Sequence, residues 1–153
     1  MSSRASAPAV GIALLLLVAV GLSATVGAAA FGVAGTPADP APVASLSLAI
    51  DDGALVFEHG GGDTLDVRTL HLRVSVANEE LTHQPPIPFF AARGFVSGPT
   101  GPFNVADDPR WSAGERARVE PAGTNEPAIR PGVTVTVDVY VDAHRLVRLT
   151  AIA

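Results

Sequence analysis

From Val10 to Ala34 the chain carries no charged side chain, and over 45–50, 69–76 and 133–142 apolar and polar residues alternate. The first pattern predicts a helix: about 25 residues at roughly 1.5 Å rise are long enough to cross a hydrocarbon layer about 30 Å thick. The second predicts strands. Leu46, Leu48 and Ile50 alternate with Ser45, Ser47 and Ala49, and Leu70, Leu72, Val74 and Val76 alternate with Thr69, His71, Arg73 and Ser75. Val133 to Val141 repeats the pattern with five valines, and RLVRLTAIA supplies a last partner. Asp51-Asp52-Gly53 and Asp142 to His144 stand where tight hairpin turns are needed.

Alternation with one apolar face in each strong segment means one face buried and one wet, the habit of antiparallel sheets packed face to face. The expected fold is therefore an N-terminal apolar helix followed by an all-β head, an antiparallel β-sandwich of six to eight strands and of immunoglobulin-like type. Between them, Thr36 to Pro42 holds three prolines, which deny helix and favour an extended, semi-rigid connector. The expected organisation is a leader over 1–5, the helix over 6–35, the connector over 36–42 and the head over 43–153.

Residues 84–115 break the alternation and gather Pro, Gly, four of the six phenylalanines and the single tryptophan. These aromatics are expected to cover sheet edges or the end of the sandwich. If PPIPFF or GPTGPF is exposed, it is a contact patch.

Composition narrows the chemistry. The net charge is -5 and lysine is absent, so no basic footprint for nucleic acid exists. Cysteine is absent too, which removes disulfides, lipid attachment through a thioether, thiolate metal sites and Cys nucleophiles. No Asn stands in a glycosylation triplet. Gly60 to Asp66, GGGDTLD, is one imperfect copy of a calcium-binding turn that needs stacked repeats, and reads as a Gly-rich turn before a strand at Val67. His59, His71, His83 and His144 show no ligand spacing and are expected as scattered surface residues. Asp51/Asp52 and Asp107/Asp108 occupy turn contexts. With no nucleophile elbow, phosphate loop or dinucleotide fingerprint, neither an enzyme nor a cofactor is expected.

The N-terminus separates three possibilities: a removed signal peptide, a permanent anchor, or a helix retained after a cut ahead of it. The apolar run exceeds the 7–15 residues usual for a secretory segment, although Ala28 to Ala30 imitates a cleavage site. Arg4 alone marks the cytoplasmic side. Ala24, Ala28 and Gly32 recur every four residues beside a stripe of Gly21, Thr25 and Ala29, a spacing that admits a close helix partner.

The stretch RASAPAVG, Arg4 to Gly11, with the apolar run behind it resembles the processing site and helix of haloarchaeal type IV pilin-like proteins. Arg4, Ala5, Pro8 and Gly11 match, whereas Ser6, Ala7 and Ala9 depart. A looser likeness lies in FEHGGGDTLDVRTLHLRV, Phe57 to Val74. The resemblance implies cleavage by a prepilin peptidase between Ala5 and Ser6, a mature helix that inserts in the membrane and then packs with other pilin subunits through Gly21, Ala24, Ala28 and Gly32, and a surface pilus used in adhesion. Val10 occupies the position where bacterial relatives carry a glutamate. The alternative is a signal-anchored extracellular binding module that does not polymerise.

Overall fold

The computed structural model describes the backbone of the N-terminal helix, with side chains over residues 9–23, and the head over residues 41–153. Helix α1 runs Ser6–Val33. The proposed leader over 1–5, residues 34 and 35 of the expected helix and most of the connector over 36–42 lie outside the described residues. The chain divides into two units at Pro40, and the head stands as a unit of its own.

Among the described residues the head holds nine strands, more than the alternation alone indicates because three are only two residues long. They are β1 Ala44–Asp51, β2 Ala54–Gly62, β3 Leu65–Asp66, β4 Leu70–Val76, β5 Glu79–Glu80, β6 Arg110–Trp111, β7 Arg116–Val119, β8 Thr134–Val141 and β9 His144–Ile152. Every ladder is antiparallel. One sheet has the order β1-β2-β7, a second β5-β4-β8-β9, and β3 pairs with β6. An N-terminal helix followed by an all-β antiparallel head is thus the architecture.

The turns follow the chemistry of their residues. Asp52 and Gly53 join β1 to β2 with φ of 49° and 78°, both left-handed, the geometry whose twist matches paired strands. Ala77 and Asn78 do the same between β4 and β5, with φ of 51° and 68°. Gly60 to Gly62 forms the end of β2 rather than a turn, and no strand begins at Val67. Val67–Thr69 is instead a single 3-10 turn capped by Asp66, whose carboxylate accepts the Arg68 N–H. Strand β4 starts at Leu70 because only there does the chain reach β8.

The alternating positions point where the pattern says. Leu70, Leu72, Val74 and Val76 are buried, as are Val135, Val137 and Val139, and they meet Leu46, Leu55 and Phe57 of the other sheet in one core. Each such side chain contributes about 1.5–3 kcal/mol through burial. The segment between β5 and β7 completes that core. Phe89, Phe95, Phe103 and Trp111 are all buried, and Phe103 sits 5.4 Å from Phe57 and 5.1 Å from Trp111. Bridges from Phe95 to Pro121 and from Thr100 to Arg118 lay the same segment along the open edge of β7, while the side chains of Phe89, Phe95, Phe103 and Trp111, expected to cover a sheet edge or the end of the sandwich, enter the core itself.

Candidate functional site

The predicted site residues lie on α1. Ser6 is its first residue, and Ala5 lies outside the described residues. No acidic or basic side chain stands in its first or last turn. All described side chains from Ala9 to Ser23 are exposed, with Leu15 at 71% and Leu17 at 69%, and apolar residues occupy the whole circumference. Over residues 9–23 the helix therefore presents no polar face. Its one hydroxyl in this stretch is satisfied internally: Ser23 Oγ donates to Ala19 O at 2.7 Å. At Gly21 an added methyl would meet nothing within 4 Å. Ala24, Ala28 and Gly32 share the helical backbone, and their surroundings lie outside the described residues. Among the described residues no helix is long and apolar enough to cross a membrane; the side chains of α1 are described only over 9–23.

On the head, one part of PPIPFF is buried and one is not. Ile87 and Phe89 enter the core, whereas Phe90 is 60% exposed. Phe103 of GPTGPF is fully buried, but Val105 beyond it is 61% exposed and Val96 is exposed as well. Two backbone bonds gather these apolar residues: Gly98 N–H donates to Phe90 O at 2.7 Å, and Val105 N–H to Phe89 O at 3.2 Å.

The Gly-rich stretch spends its aspartates on the chain itself. Asp63 accepts the Val43 N–H at 2.9 Å. Hydrogen bonds from the Arg68 side chain and amide hold the Asp66 carboxyl at about 2, well below the usual carboxylate range. Among the described residues no three His, Asp or Glu side chains come together as a metal centre.

His59 corrects the expectation of surface histidines. It is fully buried, because its place in β2 falls on the core side, with Nε2 2.9 Å from Asp63 O and the ring edge-on to Trp111. Its Nδ1 has no hydrogen-bond partner.

Three polar residues, Asp138, Asn125 and Gln84, prove structural. Asp138 lies on the polar side of β8 yet is only 8% exposed, since Arg148 of β9 donates to both its carboxylate oxygens at 2.8 Å and Arg145 stands 3.6 Å away. Those contacts, Arg148 first and then Arg145 and Arg73, hold its carboxyl below the usual range against the opposing effect of burial. Asn125, 1% exposed, joins the segment after β5 to the one after β7. Gln84 bonds its side-chain amide to the backbone of Val74. An i to i+10 spacing between Asp138 and Arg148 across a predicted hairpin was a readable signal; nothing local marked the other two.

No protein-family model matches this chain, and no curated protein matches it.

Proposed function

We propose that this protein is a structural subunit of the type IV pilin kind, inserted in the cell membrane by α1 and assembled through it into a surface filament, with an extracellular head. The head is read as an immunoglobulin-like β-sandwich, supported by two antiparallel sheets that share one core. The observation that carries the reading is α1 itself, a 28-residue helix without a charged side chain and without a polar face. A single-sided anchor has no need of the small-residue stripe at Gly21, Ala24, Ala28 and Gly32, while close packing among helices does.

The cut between Ala5 and Ser6 has a physical purpose in this scheme. It removes Arg4, whose charge costs about 2.5–3.5 kcal/mol at the centre of an apolar helix environment. Without it, α1 exchanges lipid for a bundle of like helices. The partners are then other pilin subunits, a prepilin peptidase and, before assembly, membrane lipid; catalysis and nucleic-acid binding have no part.

Mass spectrometry of the native protein tests this. A mature chain beginning at Ser6 is the expected result. An intact Met1 replaces the reading with a signal-anchored binding module, and a start near Phe31 replaces both with a secreted protein. Val20→Arg, placed in the uncharged stretch, is expected to abolish surface filaments; filaments of wild-type abundance contradict a helix core.

A further inference from the structure

The first strand of the head is held less firmly than the strands behind it. Strand β1 stands at the end of its sheet and pairs on one side only, with β2, lying beside β9 without pairing to it. Of its apolar side chains Leu46 alone is buried, while Leu48 and Ile50 are part-exposed. By contrast β8 is paired on both sides and buries Val135, Val137 and Val139. A bulge interrupts the β1–β2 ladder as well. Ser45 faces Gly61 but Leu46 faces His59, so Gly60 is the extra residue, and the two pairs before it stand apart from the six after it.

That end of the ladder is closed by Val43, just ahead of β1. Asp63 N–H donates to Val43 O at 2.8 Å, one half of the exchange that an antiparallel pair makes. The other half would use the Asp63 carbonyl, but that group faces the buried ring of His59, whose Nε2 lies 2.9 Å away and, meeting a carbonyl, donates to it. The carboxylate takes its place: Asp63 Oδ2 accepts the Val43 N–H at 2.9 Å. Gly62 lets the two segments approach, since its φ is +99° and a Cβ there would strike Val43 O and Ala44 Cα. A buried imidazole, a carboxylate and a bare glycine backbone thus converge on one residue.

We infer that the Val43–Asp63 pair is a mechanical latch, which keeps β1 on the head when tension arrives through the connector. A pull transmitted along the chain from α1 reaches Val43 before any pair of the β1–β2 ladder, whatever its direction. While the latch holds, the load passes to Asp63, which His59 pins to the core from the other side. Once it opens, two pairs alone stand between the load and the bulge. The latch has work to do only if α1 is held, in a filament or as an anchor, and in that respect it rests on the proposed function. A measurement on single tethered chains needs no filament, so its result is separate from the identity of the mature N-terminus.

The test is magnetic-tweezers unfolding of the full chain in detergent micelles. The chain has no cysteine, so handles attach only where thiols are introduced. In one geometry Ala41→Cys and Ala143→Cys, both exposed, put the latch in the path of the load; in the other Thr124→Cys, also exposed, replaces Ala41→Cys and the load bypasses it. At one constant force, Asp63→Ala is expected to speed the first rupture about five- to tenfold in the first geometry, the worth of one hydrogen bond, and less than about twofold in the second. Asp66→Ala, which removes a carboxylate cap from the Arg68 N–H beyond the latch, is expected to leave the first geometry unchanged. An unchanged rate for Asp63→Ala in the first geometry, equal acceleration in both geometries, or the same acceleration by Asp66→Ala overturns the proposal.

Discussion

Asn125→Ala removes more from the head than any exposed polar substitution should. The side chain is 1% exposed and makes three hydrogen bonds, all to backbone: Oδ1 accepts His83 N–H, and Nδ2 donates to His83 O and Gly94 O, each at 3.0 Å. Those bonds tie the segment after β5 to the segment after β7, beside Ala122 N–H to Gly94 O and Thr82 N–H to Glu126 O. Neither segment belongs to a sheet at that point, so nothing else replaces them. Each bond is worth about 1 kcal/mol net, and a backbone group left buried without a partner costs about 1–3 kcal/mol, which places the loss at about 3–4 kcal/mol. For a head of roughly 110 residues that is a fall in Tm of about 12–25 °C.

Trp111 is the chain's one tryptophan and is fully buried in the head, so its fluorescence reports head unfolding in the intact protein without interference from α1. Urea unfolding followed at this residue supplies the free-energy difference. Asn104→Ala is the matched control, since Asn104 Oδ1 caps only the Ala106 N–H at an exposed turn, and it is expected to cost under about 1 kcal/mol. A loss below about 1 kcal/mol for Asn125→Ala, or one no larger than the control's, refutes the reasoning.

Three further outcomes are expected. Asp138→Asn lowers stability at pH 7 by about 1–2 kcal/mol, the lower part of the range for charged hydrogen bonds because Arg148 is more than half exposed and rehydrates. Because the folded carboxyl is held below its unfolded value of about 3.9, its contribution is present above that pH and is lost as pH falls through the folded value; the gap between variant and wild type in urea titrations therefore closes below about pH 4. Gly101→Ala is expected to cost more than about 3 kcal/mol, because φ is +66° and the new Cβ would lie 2.1 Å from Arg116 O, a backbone atom of β7 that cannot swing aside. The same change at Gly53, where φ is +78° but nothing lies within 4 Å, is expected to cost only about 1–2 kcal/mol, so equal losses at the two sites would contradict the steric account.

Strands β1, β4 and β8 were legible because their period is two and their apolar side chains sit in a single file, a pattern that needs no partner to be recognised; β9, where Leu146 and Val147 are adjacent, was legible only as the partner that follows the turn at Asp142. The hairpin at Asp52-Gly53 was legible for a local reason as well, since only residues tolerant of positive φ serve there. By contrast β3, β5 and β6 are two residues long and exist only where another segment comes within bonding distance. Val67 looked like a strand and became a 3-10 turn through Asp66, a competition between side chain and backbone that periodicity does not register.

An uncharged apolar helix, a head of antiparallel strands, the absence of thiol and lysine chemistry, and the hairpin at Asp52-Gly53 follow from the order of residues without any knowledge of the fold. These depend on composition and on neighbours a few residues away. The tertiary structure alone decided that His59 is buried, that Asp138 is enclosed by Arg148 and Arg145, that Asn125 and Gln84 bond backbone groups outside the ladders, and that Phe90 is exposed while Phe89 is not. Each of those outcomes joins residues distant in the chain or turns on which side of a segment meets the core. Burial and hydrogen-bond satisfaction are properties of the space around a group, and that space is assembled only when the sheets and the 84–115 segment close over it.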